Sequence, residues 1–374
     1  MSSPLRSSFQ NFIKFIGQSS TPRTFAAIGY GSGRQADSKR DVFSQENHFP
    51  KIVIMRNASN LFLLFTLSIL FCCTTTKSTH APLTNAQEGY VDAGGGVRLF
   101  YRMLGAGPDT LIMIHGGPGF TMDYFLEDLA PLAKHHALLF YDQRGSGKST
   151  LSNDSISLDA QRFVEDVEAI RKHFGIGHLK LLGHSWGTAV VALYSIRYPE
   201  YLTQMIIVGA LPLQGYQLTE AFKELEAKRD SSTLKRMREL RAARLADTGN
   251  SELCKAYYTL WFQPFFGNHN KTIRSKGDFC VGTLESRRNK MLSVDKFTMA
   301  SLGQWDWRSS LSQVKVPALV IHGTMDPLPT SGAKAWASVL PNSELVLLDG
   351  VGHFPYLEEP DRFFEKVNEF LRKN

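Results

Sequence analysis

The sequence predicts an α/β protein built on a mostly parallel, doubly wound sheet with an inserted helical lid. Short apolar runs alternate with helical patterns from residue 88 onward, and glycine-rich or polar segments follow the runs. The alternation stops between Ala210 and Val316, where only helical patterns remain. A chain of 374 residues with 43% hydrophobic content is long enough to bury the core of such a domain.

The folded part should begin with a β-hairpin. Residues 89–93 and 97–103 read as strands around the glycine turn at residues 94–96. The later apolar runs are short and rich in Val, Ile, Leu and Phe, which is typical of parallel strands buried on both faces. They cover residues 111–114, 137–141, 179–182, 205–208, 318–321 and 345–348.

Helical patterns separate these runs. The clearest spans residues 158–174, where Phe163, Val167 and Ile170 lie on one apolar stripe and Asp159 falls in the first turn. We therefore expect a sheet core at residues 88–211 and 315–374, with a helical lid at residues 212–314.

Within the lid, residues 219–229, 233–246 and 251–262 are helical candidates, with Ser232 and Asn250 as N-caps. Six aromatic residues could form an apolar roof, which would serve either as the lid's own core or as a surface that contacts substrate. They are Tyr257, Tyr258, Trp261, Phe262, Phe265 and Phe266.

The N-terminal region predicts export. Residues 1–54 lack sustained periodicity and read as disordered, or as lying upstream of the true start. Residues 55–73 combine Met55 and a basic residue with an apolar run that is too short to span a bilayer, which is typical of a secretory signal. The segment resembles a lipoprotein signal with Cys72 or Cys73 as the lipid anchor, although the residue before the cleavage point is not small. Residues 74–87 form a polar linker.

The charge of the chain does not indicate a nucleic-acid partner. The formal net charge is +7, but residues 1–80 hold nine Lys/Arg against three Asp/Glu, so the rest is nearly neutral. The basic run at residues 235–241 reads as a solvated helix face.

Ser185 is the candidate nucleophile. It lies in Gly183-His-Ser-Trp-Gly187, a G-x-S-x-G turn between an apolar strand and a helical stripe. The motif alone occurs often by chance, but two further residues support it. Asp326 and His353 each follow a later apolar run, and the chain order Ser, Asp, His is the one expected on this kind of sheet.

These residue types suit acyl transfer. His353 would take the proton of Ser185 and return it to the leaving group, and Asp326 would orient the imidazole. The backbone N–H groups of Trp186 and Gly117 are the predicted oxyanion donors, with Gly116 as the alternative to Gly117.

Other polar residues near the strand ends have structural interpretations. His322 and His184 are expected to be structural, and Asp142 is expected to hold neighbouring loops through a turn. The segment Gly147-Lys-Ser149 is similar to the end of a phosphate loop, but the glycine that such a loop requires is replaced by Asp142.

The motifs resemble those of α/β-hydrolases, and within them the prolyl aminopeptidase (proline iminopeptidase) family. Three segments carry this resemblance besides the triad positions: residues 115–119 (HGGPG), residues 142–149 (DQRGSGKS) and Trp186 directly after the serine. The resemblance covers residues 88–374 apart from the lid. It implies Ser185, Asp326 and His353 as the catalytic triad and no metal or organic cofactor.

The resemblance also implies an acceptor for the substrate's free amino group. Glu220, Glu224 and Glu226 are candidates, and Trp261 is a candidate substrate contact, although the lid pattern does not align with the family's amine-binding glutamates.

Two functions follow from this sequence. The first is a serine aminopeptidase that releases an N-terminal proline-type residue from small peptides, and the second is an esterase or amidase for small apolar acyl substrates. A non-catalytic binding module is disfavoured because no triad or oxyanion position is altered.

The cysteines add one further expectation. Once the signal segment is set aside, Cys254 and Cys280 remain. Both lie in the lid, and export would place them in an oxidising compartment, so we expect a disulfide between them. Two unpaired buried thiols are the alternative.

Overall fold

The computed structural model describes residues 86–107, 109–151, 155–267 and 275–373. These residues build one eight-stranded sheet. Its strands are β1 (Gln87–Asp92), β2 (Arg98–Leu104), β3 (Thr110–Ile114), β4 (Ala137–Tyr141), β5 (Leu179–His184), β6 (Leu202–Val208), β7 (Ala318–Gly323) and β8 (Ser343–Leu348). The predictions for residues 1–54 and for the signal segment at residues 55–73 lie outside the described residues, as does most of the expected linker. The last residue of that linker, Gln87, is instead the first residue of β1.

The strands occur in the order β1-β2-β4-β3-β5-β6-β7-β8. The hairpin β1–β2 is antiparallel, and β2 runs antiparallel to β4. All further neighbours are parallel, from β4 through β3 and β5 to β8. Every residue of β4, β5 and β7 is buried, as predicted for parallel strands covered on both faces. The predicted hairpin, strands and fold class are therefore confirmed.

Twelve α-helices surround or extend this sheet among the described residues. They are α1 (Asp123–Leu129), α2 (Ala160–His173), α3 (Gly187–Arg197), α4 (Gly215–Ala227), α5 (Ser231–Ala246), α6 (Ser251–Phe262), α7 (Leu284–Asn289), α8 (Asp295–Ser301), α9 (Arg308–Leu311), α10 (Thr330–Val339), α11 (Pro355–Glu358) and α12 (Pro360–Lys373).

Alternate residues of each strand point to opposite faces, so the sheet has a core on each side. One core joins residues such as Ile112 and Leu181 to Phe163 of α2, Val190 of α3 and Ala333 of α10. The other core joins the intervening strand residues to α1 and α12, for example through Phe125 and Phe363. This arrangement is the predicted doubly wound sheet.

The local sequence determines where helix α2 begins and which of its faces is buried. Asp159 has extended backbone angles, and its carboxylate accepts the N–H of Gln161, so it is the N-cap rather than a first-turn residue. Phe163, Val167 and Ile170 are fully buried, which confirms the predicted stripe.

The chain between β6 and β7 contributes helices α4 to α9, and the three predicted helices match α4, α5 and α6. Asn250 caps α6 as expected. The N-cap predicted at Ser232 is wrong, because the Asp230 carboxylate accepts the N–H of Thr233 and starts α5 earlier. The predicted disulfide between Cys254 and Cys280 is present. In the part of the chain that the structure describes, no helix is long and apolar enough to cross a membrane.

Candidate active site

Three motif segments meet at the carboxyl ends of β3, β4 and β5. We call residues 115–119, 142–149 and 183–187 the core loops. Gln143 connects all three: its amide NH₂ donates to the His115 carbonyl at 2.7 Å, and its amide oxygen accepts the Trp186 indole N–H at 2.9 Å. The Gln143 N–H also donates to Nε2 of His115 at 3.0 Å. Burial lowers the pKa of His115 to about 4, so the ring is neutral and can accept this bond.

Ser185 lies on a sharp turn. Its φ of 55° is in the left-handed region, which is uncommon for a residue with a side chain. The turn is possible because of its glycines: a Cβ at Gly183 would lie 2.5 Å from the Gly187 carbonyl, and a Cβ at Gly187 would lie 2.2 Å from the Ile114 carbonyl. The Ser185 N–H donates to the carbonyl of Val208 at the end of β6. Ser185 therefore adopts the strained geometry of a nucleophile elbow.

Asp326 and His353 lie together after β7 and β8. Nδ1 of His353 donates to Oδ2 of Asp326 at 2.7 Å, and the other carboxylate oxygen accepts the Leu328 N–H at 2.8 Å. Burial alone would raise the pKa of Asp326. The interactions with His353 and His322, together with these hydrogen bonds, outweigh burial and place the pKa below its usual value. The carboxylate is thus ionised and fixes the imidazole.

The His353 loop is also held by the lid segment that follows α6. The His353 N–H donates to the carbonyl of Phe265 at 2.7 Å. The buried carboxylate of Glu358 accepts the N–H of Gly352 at 2.9 Å and that of Gly267 at 2.8 Å. The position of His353 therefore depends on backbone groups from the segment that follows α6.

A chain of buried hydrogen bonds connects the glycine loop to the His353 loop. The Gly116 N–H donates to the Tyr124 hydroxyl at 2.6 Å, and this hydroxyl lies 2.7 Å from Nδ1 of His184. Nε2 of His184 is 3.0 Å from the His353 carbonyl. Burial and the neighbouring His353 lower the pKa of His184 to about 3, so its ring is neutral.

The donors and acceptors in this series of hydrogen bonds follow from the groups at its two ends. A carbonyl only accepts, so Nε2 of His184 carries the proton, and Nδ1 accepts the hydroxyl proton of Tyr124. The sequence predicted a structural role for His184 but did not identify the residues that it contacts. No local pattern marks Tyr124, because its contact with His184 joins residues that are 60 positions apart.

His322 and Asp142 occupy structural positions, as expected. Nε2 of His322 is 3.0 Å from the Leu328 carbonyl and 3.7 Å from the Asp326 carboxylate. The carboxylate of Asp142 accepts the N–H of Met122 at 2.9 Å and that of Lys148 at 2.8 Å. Burial raises the pKa of Asp142 to about 7. These contacts hold loops rather than expose a reactive group.

The three candidate amine acceptors lie on α4. Glu220 is exposed and pairs with Lys223 at 2.7 Å, Glu224 is exposed, and Glu226 is half-buried. Leu218 and Leu225 occupy the buried face of the helix. Glu220 and Glu224 therefore do not provide an enclosed carboxylate for the substrate's amino group.

The predicted aromatic roof reaches the site. The ring of Phe265 packs edge-on against His353, with centroids 5.3 Å apart, and Phe262 packs against Phe354 at 5.5 Å. Tyr258 contacts Phe120 of the loop after β3 at 5.2 Å. Trp261 is half-buried and stacks on Tyr257 at 6.2 Å. The roof thus packs on the loops that carry the candidate site.

This combination of sheet, elbow and Asp–His pair agrees with a family profile described as the alpha/beta hydrolase fold, which matches residues 109–360. The chain belongs to this family. It is a hydrolase, and the resemblance expected from its motifs is confirmed.

Individual relatives are consistent with this membership. The chain is 28% identical over 299 residues to a proline iminopeptidase of Saccharolobus solfataricus, covering 77% of this chain and 93% of that protein. It is 26% identical over 291 residues to a proline iminopeptidase of Heyndrickxia coagulans, covering 76% and 98%. A solved alpha/beta fold family hydrolase from Bacillus anthracis str. Sterne superposes with a TM-score of 0.60 at 21% identity, covering 76% and 99%.

Proposed function

We propose that this hydrolase is a serine aminopeptidase that releases an N-terminal, proline-type residue through an acyl-enzyme. The observation that carries the proposal is the 2.7 Å Asp326–His353 pair, whose imidazole ring lies 4.9 Å from that of His184, the residue before Ser185 in the elbow. The similarity to proline iminopeptidases over 77% of the chain supports the substrate class.

The chemistry assigns one step to each residue. Nε2 of His353 takes the proton of the Ser185 hydroxyl as its oxygen bonds to the substrate carbonyl carbon. Asp326 stabilises the imidazolium through Nδ1. The proton then passes from His353 to the leaving amine as the C–N bond breaks. In the second half of the reaction, His353 takes a proton from water, the water oxygen attacks the acyl carbon, and the proton returns to Ser185 as the acyl group leaves.

The developing oxyanion needs two donors. The Gly116 N–H is already bonded to the Tyr124 hydroxyl, which favours Gly117 over Gly116 as the loop donor. We propose the N–H groups of Gly117 and Trp186 for this role. A Cβ at Gly116 would lie 3.0 Å from Cβ of Ser185, so the glycine loop is close enough to the nucleophile for its backbone to act there.

A second candidate function is an esterase or amidase for small apolar acyl groups. The observation that favours it is the exposure of Glu220 and Glu224 beside a roof built from aromatic rings. A buried ammonium group without a carboxylate partner is costly, so a lid of this kind suits uncharged acyl groups.

One substrate set separates the two functions. Purified enzyme is assayed on prolyl arylamide, its N-acetylated analogue and short aryl esters. An aminopeptidase should prefer the free amine by about 10²-fold or more, because blocking it leaves a buried carboxylate unpaired. Equal rates on the free and acetylated compounds would reject the aminopeptidase and favour the esterase. The Glu226→Gln variant tests the remaining half-buried candidate, with exposed Glu224→Gln as its control.

We further propose that the protein is exported and tethered to the membrane through Cys72 or Cys73, starting from Met55. The disulfide Cys254–Cys280 supports an oxidising compartment. Cell fractionation and intact-mass measurement test this proposal, and a cytoplasmic product that retains residues 1–54 would contradict it. The proposed partner of the active site is a small peptide or acyl substrate, not a nucleic acid.

A further inference from the structure

A segment of the lid, residues 283–295, lies on two of the core loops. Thr283 donates from its N–H and its hydroxyl to the Gly147 carbonyl, at 3.4 and 3.3 Å. Val294 is fully buried, and a Cβ at Gly145 would lie 3.0 Å from its Cγ2 atom. This segment, which we call the brace, therefore contacts the loop after β4 from above the sheet.

The brace reaches the glycine loop after β3 through Lys290. Its ammonium group donates to the Pro118 carbonyl at 2.6 Å and to the Asp295 carboxylate at 3.0 Å. It also lies 4.5 Å from the centre of the Phe120 ring. The Lys290 side chain is only 11% exposed. Three groups, a carbonyl, a carboxylate and an aromatic ring, thus hold one ammonium over the glycine loop.

The backbone around Lys290 also indicates that its position over the glycine loop is closely defined. Lys290–Val294 is a π-helical turn between α7 and α8. Such turns are rare and are frequently found at functional sites. A Cβ at Gly119 would lie 2.7 Å from Cδ of Lys290, so the glycine loop and the lysine stem pack without space for a side chain between them.

We propose that Lys290 is a positioning residue for the oxyanion-binding loop, an inference that rests on the proposed function. The loop is held on both sides of Gly117. On the core side Tyr124 accepts the Gly116 N–H, and on the lid side Lys290 binds the Pro118 carbonyl. A charged donor makes a stronger hydrogen bond than a neutral one, and oxyanion donors act by being fixed before the charge develops. Lys290 thus connects the lid to transition-state stabilisation without touching the substrate.

The test compares Lys290→Met with Lys296→Met. Methionine keeps most of the apolar stem and removes the donor. Lys290→Met should lower kcat about ten- to a hundredfold with KM changed by less than about threefold, because misplaced donors weaken the transition state selectively. Lys296 contacts the Phe297 ring instead of the glycine loop, so Lys296→Met should leave kcat within about twofold of the parent enzyme.

Inhibitors distinguish positioning from general packing. A trifluoromethyl ketone analogue of the substrate forms an adduct on Ser185 that carries an oxyanion, whereas the matching trifluoromethyl alcohol has no carbonyl group and forms none. In Lys290→Met, binding of the ketone should weaken in parallel with kcat while binding of the alcohol stays unchanged. A kcat within twofold of the parent, or equal weakening of both inhibitors, would overturn the proposal.

Two provisions keep the result interpretable. If Lys290→Met does not fold, Asp295→Asn replaces it, because this variant keeps the lysine but removes its counter-ion. A smaller loss of kcat with the same inhibitor pattern is expected, and no loss of kcat would reject the positioning role.

The assay uses whichever arylamide or aryl ester the parent enzyme cleaves. A wrong acyl group therefore does not affect this test, and unimpaired turnover by Ser185→Ala would count against the proposed function rather than against Lys290.

Discussion

The core loops and the lid are held by different kinds of contact. In the core loops, buried side chains bond to backbone groups of neighbouring loops, as Gln143 does to His115 and Asp142 does to Met122. In the lid, aromatic rings pack on one another and on Phe120 and Phe354, and a disulfide joins α6 to the chain before α7.

This difference assigns separate tasks to the two regions. Hydrogen bonds have narrow geometric limits, so a network of them fixes reacting atoms in place. Contacts between aromatic rings tolerate more variation in angle and distance. We therefore expect chemistry to depend on the core loops, together with the Lys290 contact that supports one of them, and acyl-group preference to depend on the aromatic part of the lid.

The largest effect should come from Ser185→Ala. If the core loops perform the chemistry, turnover should fall about 10⁴- to 10⁶-fold on every substrate, amide or ester, because each needs the same nucleophile. The fold should persist, since the alanine side chain is smaller. Ser195→Ala is a matched control, whose hydroxyl donates to the Ala192 carbonyl within α3. A folded Ser185→Ala variant with more than about a tenth of the parent activity would refute the assignment.

The second effect concerns the lid alone. Removing the disulfide with Cys254→Ala and Cys280→Ala should lower the free energy of unfolding by about 3 kcal/mol, given a sequence separation of 26 between the cysteines. Urea unfolding with and without reductant measures this, and the double variant should not respond to reductant. Detection of free Cys254 and Cys280 by peptide mapping of unreduced protein would contradict it.

The same contrast explains what the sequence could predict. The strands and core loops follow local rules: apolar runs mark strands, and glycine, serine and aspartate mark the turns behind them. The disulfide followed from the number of cysteines and the expected compartment. These features needed no knowledge of distant contacts.

The rest required three-dimensional information. The links Tyr124–His184 and Lys290–Pro118 join residues 60 and 172 positions apart, and no local pattern specifies them. The exposed position of two of the lid glutamates could have been predicted from the sequence. Leu218, Phe222 and Leu225 are spaced as one helical face, so Glu220 and Glu224 fall on the other. The N-cap error at Ser232 arose because Asp230 offers an equally suitable cap two residues earlier.

Acid should destabilise the core loops through buried histidines. Burial lowers the pKa of His115 to about 4 and of His184 to about 3, whereas an unfolded chain protonates histidine near its usual pKa of roughly 6.5. The unfolded state therefore binds more protons below pH ~6.5, and stability falls as pH falls from there towards the folded pKa values.

The loss approaches about 1.4 kcal/mol per pH unit for each histidine below the unfolded-state pKa, which amounts to about 1.6 kcal/mol each between pH 6.5 and 5. Urea unfolding at both pH values should show a loss that is smaller by this amount in His115→Asn and in His184→Gln. The exposed His135→Gln variant should keep the full loss. Identical losses in all three variants would show that other groups control the acid response.

The smallest effect should come from Tyr124→Phe, which removes one hydroxyl from the core-side support of the glycine loop. The ring keeps its stacking on Phe279 at 4.8 Å, but Gly116 loses its acceptor and His184 its donor. We expect kcat to fall about tenfold with little change in KM, within the ~1–3 kcal/mol that an unsatisfied buried group costs. Tyr356→Phe is the control, because the Tyr356 hydroxyl is buried without a hydrogen-bond partner in the described part of the chain.

Since Tyr124 and Lys290 support the same loop from opposite sides, the loss of kcat in the double variant Tyr124→Phe/Lys290→Met should be smaller than the product of the two single losses. Fully multiplicative losses would mean that core and lid act on the oxyanion independently.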